Sequence, residues 1–161
     1  MKIPRFDNAH ILTIGDAMLD RYWHGDTHRV SAEAPIPVID VSSIEDRPGG
    51  AANVALNVAT LGAASSLVAA TGQDEMSDIL ESKLSSSGID CHFIKVEGMS
   101  TITKVRLVSR SQQMIRADFE ALFDIDADQV VQGMDLVPEY DSVVLSDYDK
   151  GLFSDPSSII E

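Results

Sequence analysis

The stretch GGAANVALNVATLGAASSLVAATG, residues 49–72, decides the fold class. Its first part places small and apolar side chains on one face at helical spacing, which predicts a helix over residues 49–62 that packs closely against a sheet. The next segment, residues 66–70, predicts a buried strand. A helix that leads directly into a buried strand is typical of an α/β fold with a parallel sheet. The residues on the predicted packing face are Ala51, Val54, Ala55, Val58 and Gly62.

The same alternation continues on both sides of this unit. Residues 11–14 predict a buried strand before it, and residues 75–87 predict a second helix that ends at Gly88. Residues 142–145 predict a further strand. We therefore expect an α/β fold, with a mostly parallel sheet flanked by helices.

Two segments, residues 21–46 and 91–119, interrupt the alternation with patterns typical of antiparallel β structure. The polar residues 109–112 predict the turn of a hairpin in the second segment. Ribbons of this kind between β-α units are typical of a lid over a site at the sheet edge, although an ordinary half-exposed sheet gives the same pattern. One predicted strand face carries Val105 and Leu107, and the other carries Lys104 and Arg106.

Acidic residues outnumber basic ones by 26 to 12, which gives a net charge of −14. This charge repels nucleic-acid phosphates and anionic membrane surfaces, so we expect neither as a partner. No apolar stretch approaches the ~18 residues of a membrane span, and a single cysteine excludes an intrachain disulfide, so we expect a cytoplasmic protein. Residues 95–116 nevertheless carry five basic residues and one acidic residue. A solvated face is the ordinary explanation, and a small anionic ligand is the alternative.

Two places along the chain carry residue types suited to ligand binding. Gly49 and Gly50 precede the predicted helix and allow backbone N–H groups to approach a ligand, with Asn53 in the first helical turn. A tight loop before a closely packed helix explains the same pattern. Asp147 and Lys150 follow the strand at 142–145, at the end where α/β sheets bind ligands, and a structural ion pair explains them equally well. The histidines and the cysteine lack zinc-like spacing, so we predict no metal site.

The stretch at 49–72 resembles the N-terminal signature of the ribokinase or PfkB family of carbohydrate kinases, with Gly-Gly, an Asn three residues on, and glycines at 62 and 72. The resemblance spans nearly the whole chain and is strongest to the branch that phosphorylates heptose 7-phosphate. It implies a ribokinase-like fold in which a small β lid covers the sugar and helps to form a homodimer. The other segments that carry it are GDAMLDRYWHG at 15–25, EAPIPV at 33–38, RPGGAANVA at 47–55, TITKVRLVSRSQQMIRADFE at 101–120 and LSDYDKG at 145–151.

The resemblance also implies binding roles for individual residues. Asp16 stands where the family places an acid that binds sugar hydroxyls, although a turn cap is the plain alternative. Asp20 shares that face if the segment is helical, and otherwise lies in a solvated turn. Gly49, Gly50 and Asn53 match positions that line the sugar pocket.

For the phosphate of the sugar, the resemblance directs attention to the basic segment. Lys104 and Arg106 lie two apart on one strand, about 7 Å from each other, and both can reach one phosphate. Arg116 joins them if the hairpin register allows it, and ion pairs with Asp118 or Glu120 are the alternative. After the last strand, Lys150 can meet transferring phosphate oxygens and Asp147 a hydroxyl.

The implied reaction is ATP-dependent phosphorylation of D-glycero-D-manno-heptose 7-phosphate at the anomeric O1, giving the 1,7-bisphosphate for ADP-heptose and lipopolysaccharide core synthesis. ATP and Mg²⁺ are the implied cofactors. The family's base, an Asp in a Gly-Ala-Gly-Asp motif, and its Asn-x-x-Glu magnesium segment are absent from the sequence, so we assign no catalytic residue and expect the base beyond Glu161.

Residues 154–161 begin like a capped helix and stop before two turns are complete. We therefore expect residues 1–161 to be the N-terminal half of a kinase domain that is inactive alone. The alternatives are a family member that acts on another sugar or sugar phosphate, and a non-catalytic sugar-phosphate-binding or dimerisation module.

Overall fold

The structure is a computed structural model that describes residues 6–120, 122–137 and 139–153. These residues form two sheets and three helices. No helix among them is long and apolar enough to cross a membrane. The elements are β1 (His10–Gly15), β2 (Ala17–Val30), β3 (Pro37–Gly50), α1 (Ala51–Thr60), β4 (Ala64–Gly72), α2 (Glu75–Ser86), β5 (Ile89–Val96), β6 (Thr103–Ser109), β7 (Gln112–Phe119), α3 (Ala127–Asp135) and β8 (Ser142–Ser146).

The central sheet has the strand order β5-β4-β1-β8, and its three pairings are all parallel. Neighbouring residues of β4 point to opposite faces, so the two faces carry different cores. Leu67 packs in a cluster with residues of α1 and α2, and Val68 packs in a cluster with Val130 of α3. Helices therefore cover both faces of a parallel sheet, which confirms the predicted α/β class.

The second sheet, which we call the lid sheet, has the order β3-β2-β6-β7. β2 pairs antiparallel with β3 and parallel with β6, and β6 forms a hairpin with β7. Its two turn residues, Arg110 and Ser111, have φ angles of 49° and 67°. Positive φ at both central positions is the geometry of a tight hairpin turn, so the predicted turn at residues 109–112 is confirmed.

Three details differ from the predictions. β5 lies in the central sheet, parallel to β4, so the predicted lid segment at 91–119 is wrong over residues 91–96. As an edge strand with only partial cover, β5 has the half-buried pattern that is typical of antiparallel ribbons. Helix α1 is shorter than the predicted 49–62, and Gly62, at φ 96°, lies beyond its end. Helix α3 was not predicted, and the helix start at 154–161 lies outside the described residues.

Candidate functional site

A cleft of about 770 Å³ lies between one face of the lid sheet, the start of α1 and the end of α2. Residues from β2, β3, β6 and β7 form its lid side, so it draws on segments far apart in the sequence. The structure brings most of the predicted site residues together here. Those that line the cleft are Asp20, Gly49, Gly50, Asn53, Lys104, Arg106 and Arg116.

The Gly-Gly pair forms the place where the lid sheet, the central sheet and α1 meet. Gly50 has a φ of 56°, and a Cβ there would overlap the carbonyl oxygen of Asp16, which accepts the N–H of Ala51 at 3.0 Å. A Cβ at Gly49 would lie 2.8 Å from Oδ2 of Asp20. Both glycines are therefore needed for the close approach of the chain segments, in addition to any contact with a ligand.

The N-terminus of α1 faces the cleft without a counter-charge of its own. Gly50 provides no side-chain cap, and the first turn contains no acidic residue. Asn53 in that turn is exposed and lines the cleft. The partial positive charge of the helix start and an amide side chain together suit an anion or a sugar hydroxyl.

Strand register arranges charges in rows across the cleft face of the lid sheet. Pairing aligns Asp20 with Lys104 on one side, and Lys104 with Asp118 on the other. In the next row Arg106 lies directly opposite Arg116. Like charges directly opposite each other on a sheet are unfavourable, and an anion between them removes that cost. The register, which sequence alone could not supply, thus places the three predicted cations on one face.

Carboxylates occupy these cations in the structure. Lys104 Nζ lies 3.1 Å from Asp118 and also contacts Glu120, Arg106 contacts Asp20, and Arg116 Nε lies 2.7 Å from Asp118. Burial opposes the charge on Lys104, but its hydrogen bonds to Glu120 and Asp118 outweigh burial and raise its pKa. The ion pairs that the sequence left as an alternative are therefore present, on the same face as the cation group.

Asp147 and Lys150, which follow β8, do not line the cleft, although Tyr148 between them does. Lys150 Nζ lies 2.9 Å from Glu120, whose other carboxylate oxygen contacts Lys104. Hydrogen bonds from Lys104 and then Lys150 lower the pKa of Glu120. Asp147 accepts the N–H of Asp149 at 2.8 Å, which is a local turn contact. These contacts join the lid sheet to the β8 loop, and direct contact of Asp147 or Lys150 with a substrate stays a prediction.

Asp16, between β1 and β2, is 3% exposed and does not line the cleft. Its Oδ2 accepts the N–H groups of Tyr148 at 2.8 Å and Lys150 at 3.2 Å. Burial raises the pKa of Asp16, and the hydrogen bonds from Tyr148, Lys150 and Leu152 only partly offset this. The carboxylate holds the loop after β8 in place, as the turn-cap alternative implies, and its binding to sugar hydroxyls stays a prediction.

Sequence reasoning missed two cations of the cleft wall. Arg47 stands directly before Pro48-Gly49-Gly50, and its place beside the quoted motif is a signal that could have identified it. Lys83 comes from the last turn of α2, where nothing in the sequence marks it. The charged residues that line the cleft are five basic and two acidic: Arg47, Lys83, Lys104, Arg106 and Arg116, with Asp20 and Asp46. The cleft is thus locally positive in an acidic chain.

Within residues 6–120, 122–137 and 139–153, no group of three or more His, Cys, Asp or Glu side chains is arranged to hold a metal ion. We therefore assign no magnesium ligand among the described residues. The features that they offer are a cation group, a helix start and a glycine floor, and these suit binding of an anionic, hydroxyl-bearing ligand.

Comparison with known proteins agrees with this geometry. The family model described as pfkB family carbohydrate kinase matches residues 8–159. The chain belongs to the pfkB family of carbohydrate kinases. The chain is 52% identical over 163 residues to the bifunctional protein HldE of Alcanivorax borkumensis, with 98% of the chain covered. It is 49% identical over 162 residues to the bifunctional protein HldE of Ectopseudomonas mendocina, with 100% covered.

These matches reach only part of the relatives. The chain spans 34% of the length of each of these two proteins. Solved structures support the fold: a carbohydrate kinase from Agrobacterium tumefaciens matches at a TM-score of 0.64 and 17% identity, covering 85% of this chain and 45% of that one. The microbiome-derived acarbose kinase Mak1 matches at 0.61 and 24% identity, covering 85% and 45%. This pfkB family chain thus has the ribokinase-like fold. Membership of a family of carbohydrate kinases implies the use of ATP.

Proposed function

We propose that the protein containing this chain is a cytoplasmic kinase that uses ATP and Mg²⁺ to phosphorylate D-glycero-D-manno-heptose 7-phosphate at the anomeric O1, giving the 1,7-bisphosphate. The observation that carries the proposal is the row arrangement of Lys104, Arg106 and Arg116 on the cleft face. An unphosphorylated sugar does not need three cations at the wall of its pocket. The family supports the reaction type, and the cations that line the cleft support a sugar that already carries a phosphate.

In this proposal the chain binds and orients the sugar. The 7-phosphate lies against Lys104, Arg106 and Arg116, where it replaces Asp118 as the counter-charge of Lys104 and Arg116 and Asp20 as that of Arg106. The sugar ring lies toward Gly49, Gly50 and the start of α1, where backbone N–H groups and the Asn53 amide meet hydroxyls. Such positioning contributes to phosphoryl transfer by holding the attacking hydroxyl in one place. ATP supplies the phosphoryl group, and the base and the magnesium ligands belong to parts of the protein other than the described residues.

Calorimetric titration of the 161-residue chain tests the binding proposal. We expect heptose 7-phosphate to bind more tightly than unphosphorylated heptose, and Lys104→Ala to weaken the phosphorylated ligand about tenfold or more. The matched control is Lys95→Ala, because Lys95 belongs to the same basic segment but pairs with Glu81 of α2 and does not line the cleft. Equal affinity for the two heptoses, or equal effects of the two variants, would refute the proposal. Tighter binding of fructose 6-phosphate than of heptose 7-phosphate would indicate that the substrate is another sugar phosphate.

We also propose that the chain alone has no kinase activity, since no catalytic base is assigned within it. A coupled assay for ADP release, with ATP, Mg²⁺ and heptose 7-phosphate, should give no signal above the ATP-only background. Heptose-dependent ADP release by the purified chain would overturn this point and leave the binding test unaffected.

The apolar face of the lid sheet supports a homodimer, in which a second copy of this chain covers the face. A cavity of about 490 Å³ on this face is lined by Val105, Leu107 and Phe119, and Phe119 is 58% exposed. Trp23 lines the same cavity, and its buried Nε1 has no hydrogen-bond partner among the described residues. Exposed apolar surface beside an unpaired donor is typical of an interface.

Light scattering after size exclusion tests the homodimer. Ile115, which is paired with Leu107 and is 58% exposed, provides the variant Ile115→Asp, which should shift the chain to monomer. Leu61, directly after α1, is 58% exposed and lies outside the lid sheet, so Leu61→Asp is the control that should remain dimeric. A monomeric wild-type chain would refute the homodimer.

A further inference from the structure

Tyr22, in the middle of β2, lies between two arginines that come from different neighbouring strands. Its pairing partners are Glu45 of β3 and Arg106 of β6. The Cζ atom of Arg47 lies 4.6 Å from the centre of the Tyr22 ring, and the Cζ atom of Arg106 lies 5.2 Å from it. Both distances fall within the range of cation–π contacts, so one ring contacts two guanidinium groups.

Each arginine also has an acidic partner that holds it from a different direction. Arg106 contacts Asp20. Arg47 donates two hydrogen bonds to the carboxylate of Glu45, from Nε at 2.7 Å and from Nη2 at 3.0 Å. A phosphate that enters the cleft competes with these carboxylates for the guanidinium nitrogens. It does not compete with the aromatic ring, because the ring attracts each guanidinium charge through its π face, and a phosphate can approach the N–H groups that point away from the ring. Tyr22 can therefore hold both arginines while their counter-charges are exchanged.

Both arginines line the cleft, whereas Tyr22 is not among its lining residues. An arginine side chain loses considerable rotamer freedom when it is fixed, so prior fixation by the ring reduces the entropy cost of binding an anion. Fixation matters most for Arg106, which lies opposite the like-charged Arg116 and would otherwise turn away from it.

We propose that Tyr22 is a positioning residue that sets the preference of the cleft for a phosphorylated sugar by holding Arg47 and Arg106 in place. This inference rests on the proposed function, because it concerns the phosphate end of the same ligand. It adds to that function a residue that does not line the cleft and acts through two arginines that do.

The test compares Tyr22→Leu with Tyr22→Phe in the 161-residue chain. Leucine fills much of the same space without a ring, and phenylalanine keeps the ring and loses the hydroxyl. Titration with heptose 7-phosphate and with unphosphorylated heptose gives the ratio of the two affinities. We expect Tyr22→Leu to reduce that ratio about tenfold by weakening the phosphorylated ligand, and Tyr22→Phe to keep it within about twofold of the wild type.

A second measurement follows the two guanidinium groups without any ligand. In ¹⁵N relaxation of the arginine Nε–H groups, those of Arg47 and Arg106 should be ordered in the wild type and in Tyr22→Phe, and mobile in Tyr22→Leu. An unchanged affinity ratio, or unchanged Nε–H order, in Tyr22→Leu overturns the inference alone. If the wild-type chain binds no sugar phosphate, the proposed function fails and this inference fails with it. Equal weakening of both heptoses by Tyr22→Leu indicates a structural role and also overturns the inference.

Discussion

Replacing Gly50 by alanine should destabilise the chain and damage the cleft together. The backbone at Gly50 has φ 56° and ψ −135°, a region that is disfavoured for residues with a side chain by about 1–3 kcal/mol. The new Cβ would also overlap the carbonyl oxygen of Asp16 and so disturb the hydrogen bond from Ala51, which adds about 1 kcal/mol. We expect the free energy of unfolding to fall by about 2–4 kcal/mol.

Gly98 provides the matched control for this prediction. It has a φ of 75°, but a Cβ there would meet no atom within 4 Å. Gly98→Ala should therefore show the conformational cost alone, about 1 kcal/mol, and leave ligand binding unchanged. Urea unfolding followed by circular dichroism measures both variants, and titration with heptose 7-phosphate measures the cleft. If Gly50→Ala is no less stable than Gly98→Ala, the close approach of the Gly50 backbone to Asp16 does not constrain this junction and the reasoning is wrong.

Three further outcomes follow from single side chains. Asp74→Ala removes the N-cap of α2 and the acceptor of two hydrogen bonds from Thr101. Its free energy of unfolding at pH 7 should therefore be about 1–3 kcal/mol lower than that of the wild type. Burial raises the pKa of Asp74, but the hydrogen bonds lower it further, so this stability difference should shrink as pH falls below the ordinary value of 3.8; a difference that grows in acid contradicts the assignment. Glu120→Gln removes a carboxylate that competes for Lys104, and calorimetry should show heptose 7-phosphate binding about 2–5-fold tighter, whereas weaker binding would mean that Glu120 supports the ligand. Burial raises the pKa of Cys91 to about 12, so its thiol should react slowly with iodoacetamide at pH 8 and rapidly in urea; equal rates would show that the thiol is not protected.

The sequence predicted the elements whose signals are local. Helix α2 has an aspartate cap and ends before a glycine at φ 78°, and both features are visible as residue types. Helix α3 was missed, although Asp126 and Gln129 form a reciprocal capping box that the sequence displays. The position of β5 was beyond local signals, because a half-buried strand at the edge of a parallel sheet has the same pattern as one in a hairpin.

The site was predictable in composition and unpredictable in arrangement. Lys104, Arg106, Arg116 and the Gly-Gly pair could be named from the sequence, because a basic segment is unusual in an acidic chain and two glycines before a predicted helix form a visible motif. Which cations share a face with Asp20 depends on a parallel pairing between β2 and β6, whose residues are more than eighty positions apart. Pairing over such a separation has no local signature, since it depends on how the whole chain folds back. The role of Tyr22 could not be predicted for the same reason, because its two arginine contacts are with residues of the neighbouring strands.

Strand register is the property on which this cleft depends. Side chains alternate between the faces of a strand, so a slip of one residue between β6 and its neighbours would move Lys104 and Arg106 to the apolar face. The lid sheet contains irregular pairings between His24 and Gly25, between Thr27 and Arg29, and between Leu107 and Val108. All three lie beyond the charge rows, toward the far end of the sheet. The rows therefore occupy the regularly paired part next to the Gly-Gly junction, where the pairing of β2 with β3 and the fixed start of α1 hold the cations and the helix start close together.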